Sequence, residues 1–383
     1  MKKSILLCIG VLLLSLLALD AVFSLYEKRF LIHALSREET YDLLAMGYND
    51  EGVYAREKPE KIYRILSFGG SFTFGITRPD FTFNAVLGRD LAKLFPGRSF
   101  EILNLGSPGA GFRDMLAQFE FWSNNIDYDA AIFTLYPGAN FEARPKDKRK
   151  ELVYGPGVFV PQGAPFRMFD YLSTIAAAVD ALRREKDPVY FSAFPFPYDA
   201  YVAKMAKASR PYRMAGYEKF THGLSGLWRL MEAVKAETRR GKRALFVVAG
   251  PHFLYSPELF SDVLQAEGID RGRIDPLLPG AVIRALAQKI GLSGDVLDLT
   301  PCLATVEDGG KSLYYKTDTH WSREGNQLVG EVLADDLTGR WFGEIKGGSA
   351  VCPGDAPAPD QARDGFVRDE AQRVAAEIAA GGR

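Results

Sequence analysis

Four short apolar runs, each stopped by small or turn-forming residues, constrain the fold of this chain more than any other feature. Tyr63–Phe68 runs into Gly69-Gly70-Ser71 and Phe100–Leu105 into Gly106-Ser107. Ala130–Tyr136 runs into Pro137-Gly138-Ala139-Asn140 and Arg243–Ala249 into Gly250-Pro251. Almost continuous apolarity over so few residues reads as strands buried on both faces, as in a parallel sheet covered by helices. The intervening stretches have helical spacing. Asn84–Phe95 places Val86, Leu87, Leu91 and Leu94 together and stops at Pro96-Gly97. Arg113–Asn125 follows the second run, and Leu224–Arg240 carries Leu227, Leu230, Met231 and Val234 on one face. Ala281–Ile290 and Glu324–Leu337 read as further helices and Val296–Leu299 as a further short strand. The pattern predicts one α/β domain over residues 62–340, three layers thick, with a central parallel sheet.

The alternation breaks between the third and fourth runs. Arg144–Lys150 is a charge cluster, and Gly155–Tyr217 is rich in rings and prolines, most densely over Tyr190–Tyr198. We read about 144–220 as an aromatic-rich insertion. It either caps a cleft, its rings suited to stacking on sugar faces, or packs a small core of its own. From residue 346 Gly, Pro, Ala and Asp dominate. The tail 346–383 is expected to be disordered, with a free helix at Arg368–Ala380.

The beginning of the chain bears on location. Lys2 and Lys3 precede Ser4–Leu25, which is apolar apart from Asp20 and long enough to span a bilayer, for which about 20 residues are needed. Residues 1–25 read as an uncleaved signal anchor. The alternative is a cleaved signal peptide, but Ala21-Val22-Phe23 offers no small-x-small cleavage site. The basic start belongs on the cytoplasmic side. The expected protein is therefore single-pass in the inner membrane, its domain in the periplasm or outside the cell. Residues 26–61 would form a juxtamembrane helix and connector. With 47 basic and 48 acidic side chains, the formal charge of -1 leaves no electrostatic footprint for nucleic acid. Cys8, Cys302 and Cys352 are too few for a disulfide scaffold and match no zinc spacing; whether Cys302 pairs with Cys352 stays open.

Ligand sites in an open parallel sheet form beyond the carboxyl ends of the strands. Ser71 stands on the tight turn after the first run, beside helix-terminal amides that favour an oxyanion, although a serine there also serves as a plain helix cap. Gly106 permits close approach of its backbone N–H, and Asn140 offers a side-chain donor. Of the four histidines, His33, His222, His252 and His320, only His320 has a carboxylate two residues away, Asp318. In an extended segment such residues point the same way, so Asp318 would orient the imidazole. His252 follows the fourth run, where it either lines the cleft or closes a turn.

Four blocks in this order resemble the SGNH, or GDSL-type, hydrolase superfamily. They are Gly69-Gly70-Ser71-Phe72-Thr73-Phe74-Gly75, Asn104-Leu105-Gly106-Ser107-Pro108-Gly109, Gly138-Ala139-Asn140 and Asp318-Thr319-His320. The resemblance spans roughly Tyr63–Leu337 and implies a flavodoxin-like α/β/α domain. It also implies a Ser71 nucleophile, a His320 base, an Asp318 orienter, and an oxyanion hole from the amides of Ser71 and Gly106 with the Asn140 side chain. No metal or cofactor is implied. Gly70 and Phe141 stand where the superfamily usually has aspartates, and the last block has one residue between acid and base where two are common. In that respect Asp318-Thr319-His320-Trp321 looks like the membrane-associated O-acetyltransferase branch that decorates exopolysaccharides such as alginate, in which the motif precedes the serine. Asp298 and Asp295 are the alternative acids. Three functions follow as expectations. The first is an esterase on acylated carbohydrate or lipid. The second is an O-acyltransferase modifying an exported polysaccharide, with a membrane acyltransferase as partner. The third is a non-catalytic glycan-binding or assembly protein.

Overall fold

The computed structural model describes residues 40–43, 48–141, 196–307, 312–343 and 360–380, with the isolated positions 15 and 18. The chain divides into two compact units, residues 1–56 with 145–190 and residues 57–144 with 191–383. In the first, β1 (Thr40–Asp42) and β2 (Val53–Ala55) pair antiparallel, Thr40 opposite Ala55. Residues 26–61 were expected to form a juxtamembrane helix and connector, and their described part holds these two short strands. The expected signal anchor, the juxtamembrane helix and most of the insertion lie outside the described residues.

The second unit holds a five-stranded, all-parallel sheet. Its strands are β3 (Ile62–Gly69), β4 (Ser99–Gly106), β5 (Ala130–Leu135), β6 (Arg243–Val248) and β7 (Val296–Asp298), in spatial order β4-β3-β5-β6-β7. This is the doubly wound, flavodoxin-like order, in which connections leave the first and third strands in opposite directions and open a crevice between them. Period-two alternation sorts the side chains to the two faces. Phe68, Phe133 and Phe246 stand in register on three neighbouring strands and stack with centroids 5.2 and 5.1 Å apart. Ile65, Ile132, Leu245 and Val247 feed the opposite core.

The helices behave as their apolar stripes require. α1 (Ser71–Phe74) is a single turn after β3. α2 (Phe83–Leu94) buries Phe83, Leu87 and Leu91, and its first turn is capped by Thr82. α3 (Phe112–Asn125) puts Phe119 edge-on to Phe68 and Phe133. α4 (Pro137–Asn140) is one turn after β5. Further along come α5 (Tyr198–Ala208), α6 (Thr221–Thr238), α7 (Pro257–Glu267), α8 (Leu278–Ile290) and α9 (Thr300–Glu307). α10 (Arg323–Phe342) crosses α2 at Gly330, where an added Cβ would lie 2.5 Å from Val86 Cβ.

In the described end of the insertion, Tyr201 and Met205 of α5 are buried in one cluster with Phe253, Leu259 and Val263. The tail was expected to be disordered, yet α11 (Gln361–Ala379) docks on α6 and α8 with Val367, Ala371 and Val374 buried. Its few apolar residues recur at helical spacing, and a low average hydrophobicity hid that stripe. Cys302 is disulfide-bonded, its partner outside the described residues.

Candidate active site

The turn carrying Ser71 is built by its neighbours. β3 ends at Gly69, whose missing Cβ leaves room for Thr73 Oγ1 and the Thr134 carbonyl. Phe74 N–H donates to Gly70 O (3.1 Å) and Gly75 N–H to Ser71 O (2.9 Å), closing α1. Asn84 Nδ2 donates to Thr73 O and Asn104 Nδ2 to Phe74 O, each at 3.1 Å. These bonds fix the backbone, so Ser71 presents its hydroxyl beyond the sheet edge from a rigid base.

His320 arrives from a loop between α9 and α10. Tyr314 and Trp321 form a bridge, and Ser322 N–H donates to Leu313 O (2.9 Å), so residues 313–322 make a tight return. Ser322 Oγ then caps α10 by accepting from Gly325 N–H (3.1 Å). At the tip Asp318 N–H donates to Tyr315 O (3.2 Å), and Asp318 Oδ1 accepts from the His320 N–H (3.0 Å). Asp318 and His320 thus meet through a bend, not through the extended alternation expected of them. The same carboxylate oxygen contacts His320 Nδ1.

His320 Nε2 lies 2.7 Å from Ser71 Oγ. With Nδ1 on Asp318, Nε2 is the nitrogen available to accept the serine proton. The structure therefore brings Ser71, His320 and Asp318 into one line, and Asp298 and Asp295 are not needed. Asp298 instead accepts from Thr300 N–H (2.9 Å) at the start of α9. The ring of Phe72 packs under the site, 5.4 Å from the His320 ring and 4.8 Å from Trp321. Burial by itself would raise the Asp318 carboxyl, but hydrogen bonds and charge from His320, with the Lys204 ammonium, outweigh it and hold the carboxyl below its ordinary value. Asp318 is thus kept ionised to face an imidazolium.

The oxyanion donors are placed less simply. Gly106 is the close-approach glycine expected, for an added Cβ would lie 2.1 Å from Phe74 N. Its N–H, however, donates to Asn104 Oδ1 (3.1 Å), so Gly106 is corrected from oxyanion donor to packing element. Asn104 thereby ties the end of β4 to the serine turn through both ends of its amide. Asn140 Oδ1 accepts from Tyr136 N–H (2.6 Å) and Nδ2 donates to Ala110 O (2.9 Å), which leaves the second Nδ2 hydrogen. The first-turn N–H of Ser71 has no intrahelical acceptor.

Sequence reasoning missed the support behind Asp318. Tyr201 OH donates to Asp318 O (2.7 Å) and also meets His252 Nδ1 (2.7 Å). Phe196 N–H donates to Thr317 O (3.1 Å), and Lys204 Nζ stands 4.2 Å over the Phe196 ring. His252 drew notice because it follows β6; nothing in the sequence singled out Tyr201 from the other rings of the insertion. Among the described residues no cluster of three or more His, Cys, Asp or Glu could hold a metal ion.

Residues 264–356 match a family model described as the SGNH hydrolase-like domain of acetyltransferase AlgX. The match contains Asp318 and His320, and Ser71 lies before it. No curated protein sequence matches the chain. Among solved structures, the chain is similar to an acetyl xylan esterase, AlAXEase, at 13% identity over 72% of this chain and 99% of that one (TM-score 0.36). It is similar to a two-domain esterase active on acetylated mannans at 15% identity, over 79% and 53% (TM-score 0.38). A lipase/acylhydrolase from Enterococcus faecalis is 15% identical over 73% and 96% (TM-score 0.36). The family match, over residues 264–356, supports the SGNH hydrolase-like superfamily.

Proposed function

We propose that this chain is an extracytoplasmic serine esterase that removes acyl groups, of the acetyl class, from carbohydrate esters. The single observation carrying this reading is the line from Ser71 Oγ through His320 to Asp318. Ser71 Oγ attacks the ester carbonyl as its proton passes to His320 Nε2, and Asp318 balances the imidazolium charge. The negative oxygen of the tetrahedral intermediate is held by the Ser71 N–H and the second Nδ2 hydrogen of Asn140. On collapse, the leaving alcohol takes the proton back from Nε2 and the acyl group stays on Ser71. Water, deprotonated by the same nitrogen, then releases the acid and restores the serine.

The family match favours a second reading, in which a sugar hydroxyl replaces water and the chain is an O-acyltransferase modifying an exported polysaccharide. That reading allows a membrane acyltransferase to supply the acyl group. An extracytoplasmic site is supported by the basic, apolar start of the chain and by disulfide-bonded Cys302, since such bonds persist in oxidising compartments. Among the described residues no helix is long and apolar enough to cross a membrane; residues 4–25 lie almost wholly outside them.

The test is intact mass after treatment with a fluorophosphonate. One adduct, absent in Ser71→Ala and His320→Ala, is expected; labelling that survives Ser71→Ala overturns the reading. Incubation with an acetyl donor and glycan acceptors then separates transfer from hydrolysis by product.

A further inference from the structure

The residue that does the work of the acid, Asp318, sits in a bend with no strand or helix to hold it. Its backbone is pinned from two sides. Asp318 N–H is held within the loop by Tyr315 O (3.2 Å). The carbonyl side is held from elsewhere in the chain, Thr317 O by the Phe196 N–H (3.1 Å) and Asp318 O by the Tyr201 hydroxyl (2.7 Å). Both outside donors come from residues 196–201, at the start of α5.

Tyr201 is itself fixed. A tyrosine hydroxyl has one proton, and a carbonyl can only accept, so that proton is committed to Asp318 O. The 2.7 Å contact with His252 therefore requires His252 Nδ1–H to donate to the tyrosine oxygen. Burial pushes the His252 imidazole down to about 4, so it is neutral at pH 7 and holds one tautomer. The His252 ring lies flat on Tyr314, with centroids 4.9 Å apart and planes at 6°. Tyr314 OH donates to Gly250 O (2.7 Å) and accepts from Trp321 Nε1 (3.1 Å). A closed circuit thus runs from the end of β6 through α5 to the residues on either side of the Asp318–His320 bend.

We propose that Tyr201 is the positioning residue for Asp318, with His252 holding the Tyr201 hydroxyl so that its proton goes to the Asp318 carbonyl and the carboxylate is aimed at His320 Nδ1. This rests on the reading of Ser71, His320 and Asp318 as a triad. The same contacts would also arise if the network served only to satisfy buried polar groups. The two roles differ in consequence: a purely structural network changes how much protein folds, whereas a positioning network changes the turnover of each folded site. An error of an ångström at a catalytic group costs about 10²-fold in rate, so partial loosening of the acid costs about 10-fold.

The experiment uses the full chain with p-nitrophenyl acetate as ester probe, active sites counted by fluorophosphonate titration. Tyr201→Phe keeps the ring and removes the hydroxyl. It is expected to lower kcat per titrated site about 10-fold with KM within about 2-fold, because the substrate is not touched. His252→Phe keeps the stacking on Tyr314 and removes the donor, and is expected to lower kcat in the same way. His252→Asn places an amide N–H near the position of Nδ1 and is expected to restore most of it. Wild-type kcat per site in Tyr201→Phe overturns the proposal while leaving the triad intact. Labelling that survives Ser71→Ala overturns the triad instead. Should Tyr201→Phe not fold, the His252 pair decides: a kcat for His252→Asn well above that of His252→Phe supports the proposal, and equal values overturn it.

Discussion

Ser71 and His320 are 249 residues apart in the chain, and their reactive atoms, Oγ and Nε2, are 2.7 Å apart. One comes from a turn at the end of β3 and the other from a loop before α10. What joins them is packing between α2 and α10. Asn326, in the first turn of α10, accepts from Phe83 N–H (3.1 Å) and donates to Ser322 O (2.9 Å), so the start of one helix locates the start of the other.

Removing either partner should abolish turnover with the fold intact. Ser71→Ala and His320→Ala are each expected to lower kcat on p-nitrophenyl acetate by about 10⁴-fold or more, and the double variant by no more than the worse single one. Initial rates with circular dichroism as fold control make the check. Losses that multiply would mean that the two side chains do not act together.

Asp318 links activity and stability to acid. Its folded-state carboxyl is held below its ordinary value, so in the acid range the unfolded chain binds the proton more readily. The resulting stabilisation is fully present above the unfolded carboxylate value, about 3.9. It is lost as pH falls through the lower folded value. Asp318→Asn should therefore be less stable than wild type in urea at pH 7, and the gap should close towards pH 3. A gap independent of pH would contradict this. The same variant is expected to lose about 10⁴-fold in kcat at pH 7.

His252 acts in the next window up. Its imidazole stays neutral in the fold down to about 4, whereas the unfolded chain takes the proton near 6.5. Unfolding therefore binds a proton between these values, and stability falls as pH drops from 6.5 towards 4. The limiting size is about 3 kcal/mol. Urea midpoints at pH 7.5 and 4.5 should differ less in His252→Asn than in wild type; equal pH dependence in the two would refute the assignment.

Gly106→Ala tests the packing role given to that glycine. The new methyl would lie 2.1 Å from Phe74 N, and the contact is with backbone that cannot swing aside. A stability loss of about 2 kcal/mol or more is expected, with reduced fluorophosphonate labelling because the Ser71 turn must shift. A fully labelled, stable variant would remove Gly106 from the account.

The docked tail helix is tested by Val374→Asp. Val374 is fully buried on α11, where a carboxylate would be taken out of water, so a loss of about 3 kcal/mol or more is expected in thermal unfolding. Wild-type stability would mean that α11 contributes nothing to the domain.

The parallel sheet was legible because apolar runs such as Ala130–Leu135, buried at every position, have no other way to be satisfied. Ser71, Asp318 and His320 were singled out by turn chemistry, short spacing and the joint resemblance of four blocks, and the fold puts them within hydrogen-bond reach of one another. The partners of Gly106 and Asn140 were not legible. The Gly106 N–H is taken by the side chain of Asn104, two residues before it, and the Asn140 amide by the carbonyl of Ala110, which only the fold brings within reach. The docking of α11 was hidden for a related reason: a stripe such as Val367, Ala371 and Val374 in a charged stretch means nothing until a complementary face on α6 and α8 exists. Sequence alone determined the layer architecture, since it follows from residue type and local period. Tertiary structure decided which donors remain available and which residues, Tyr201 and His252 among them, stand behind the acid, because hydrogen bonds between distant segments are set by packing.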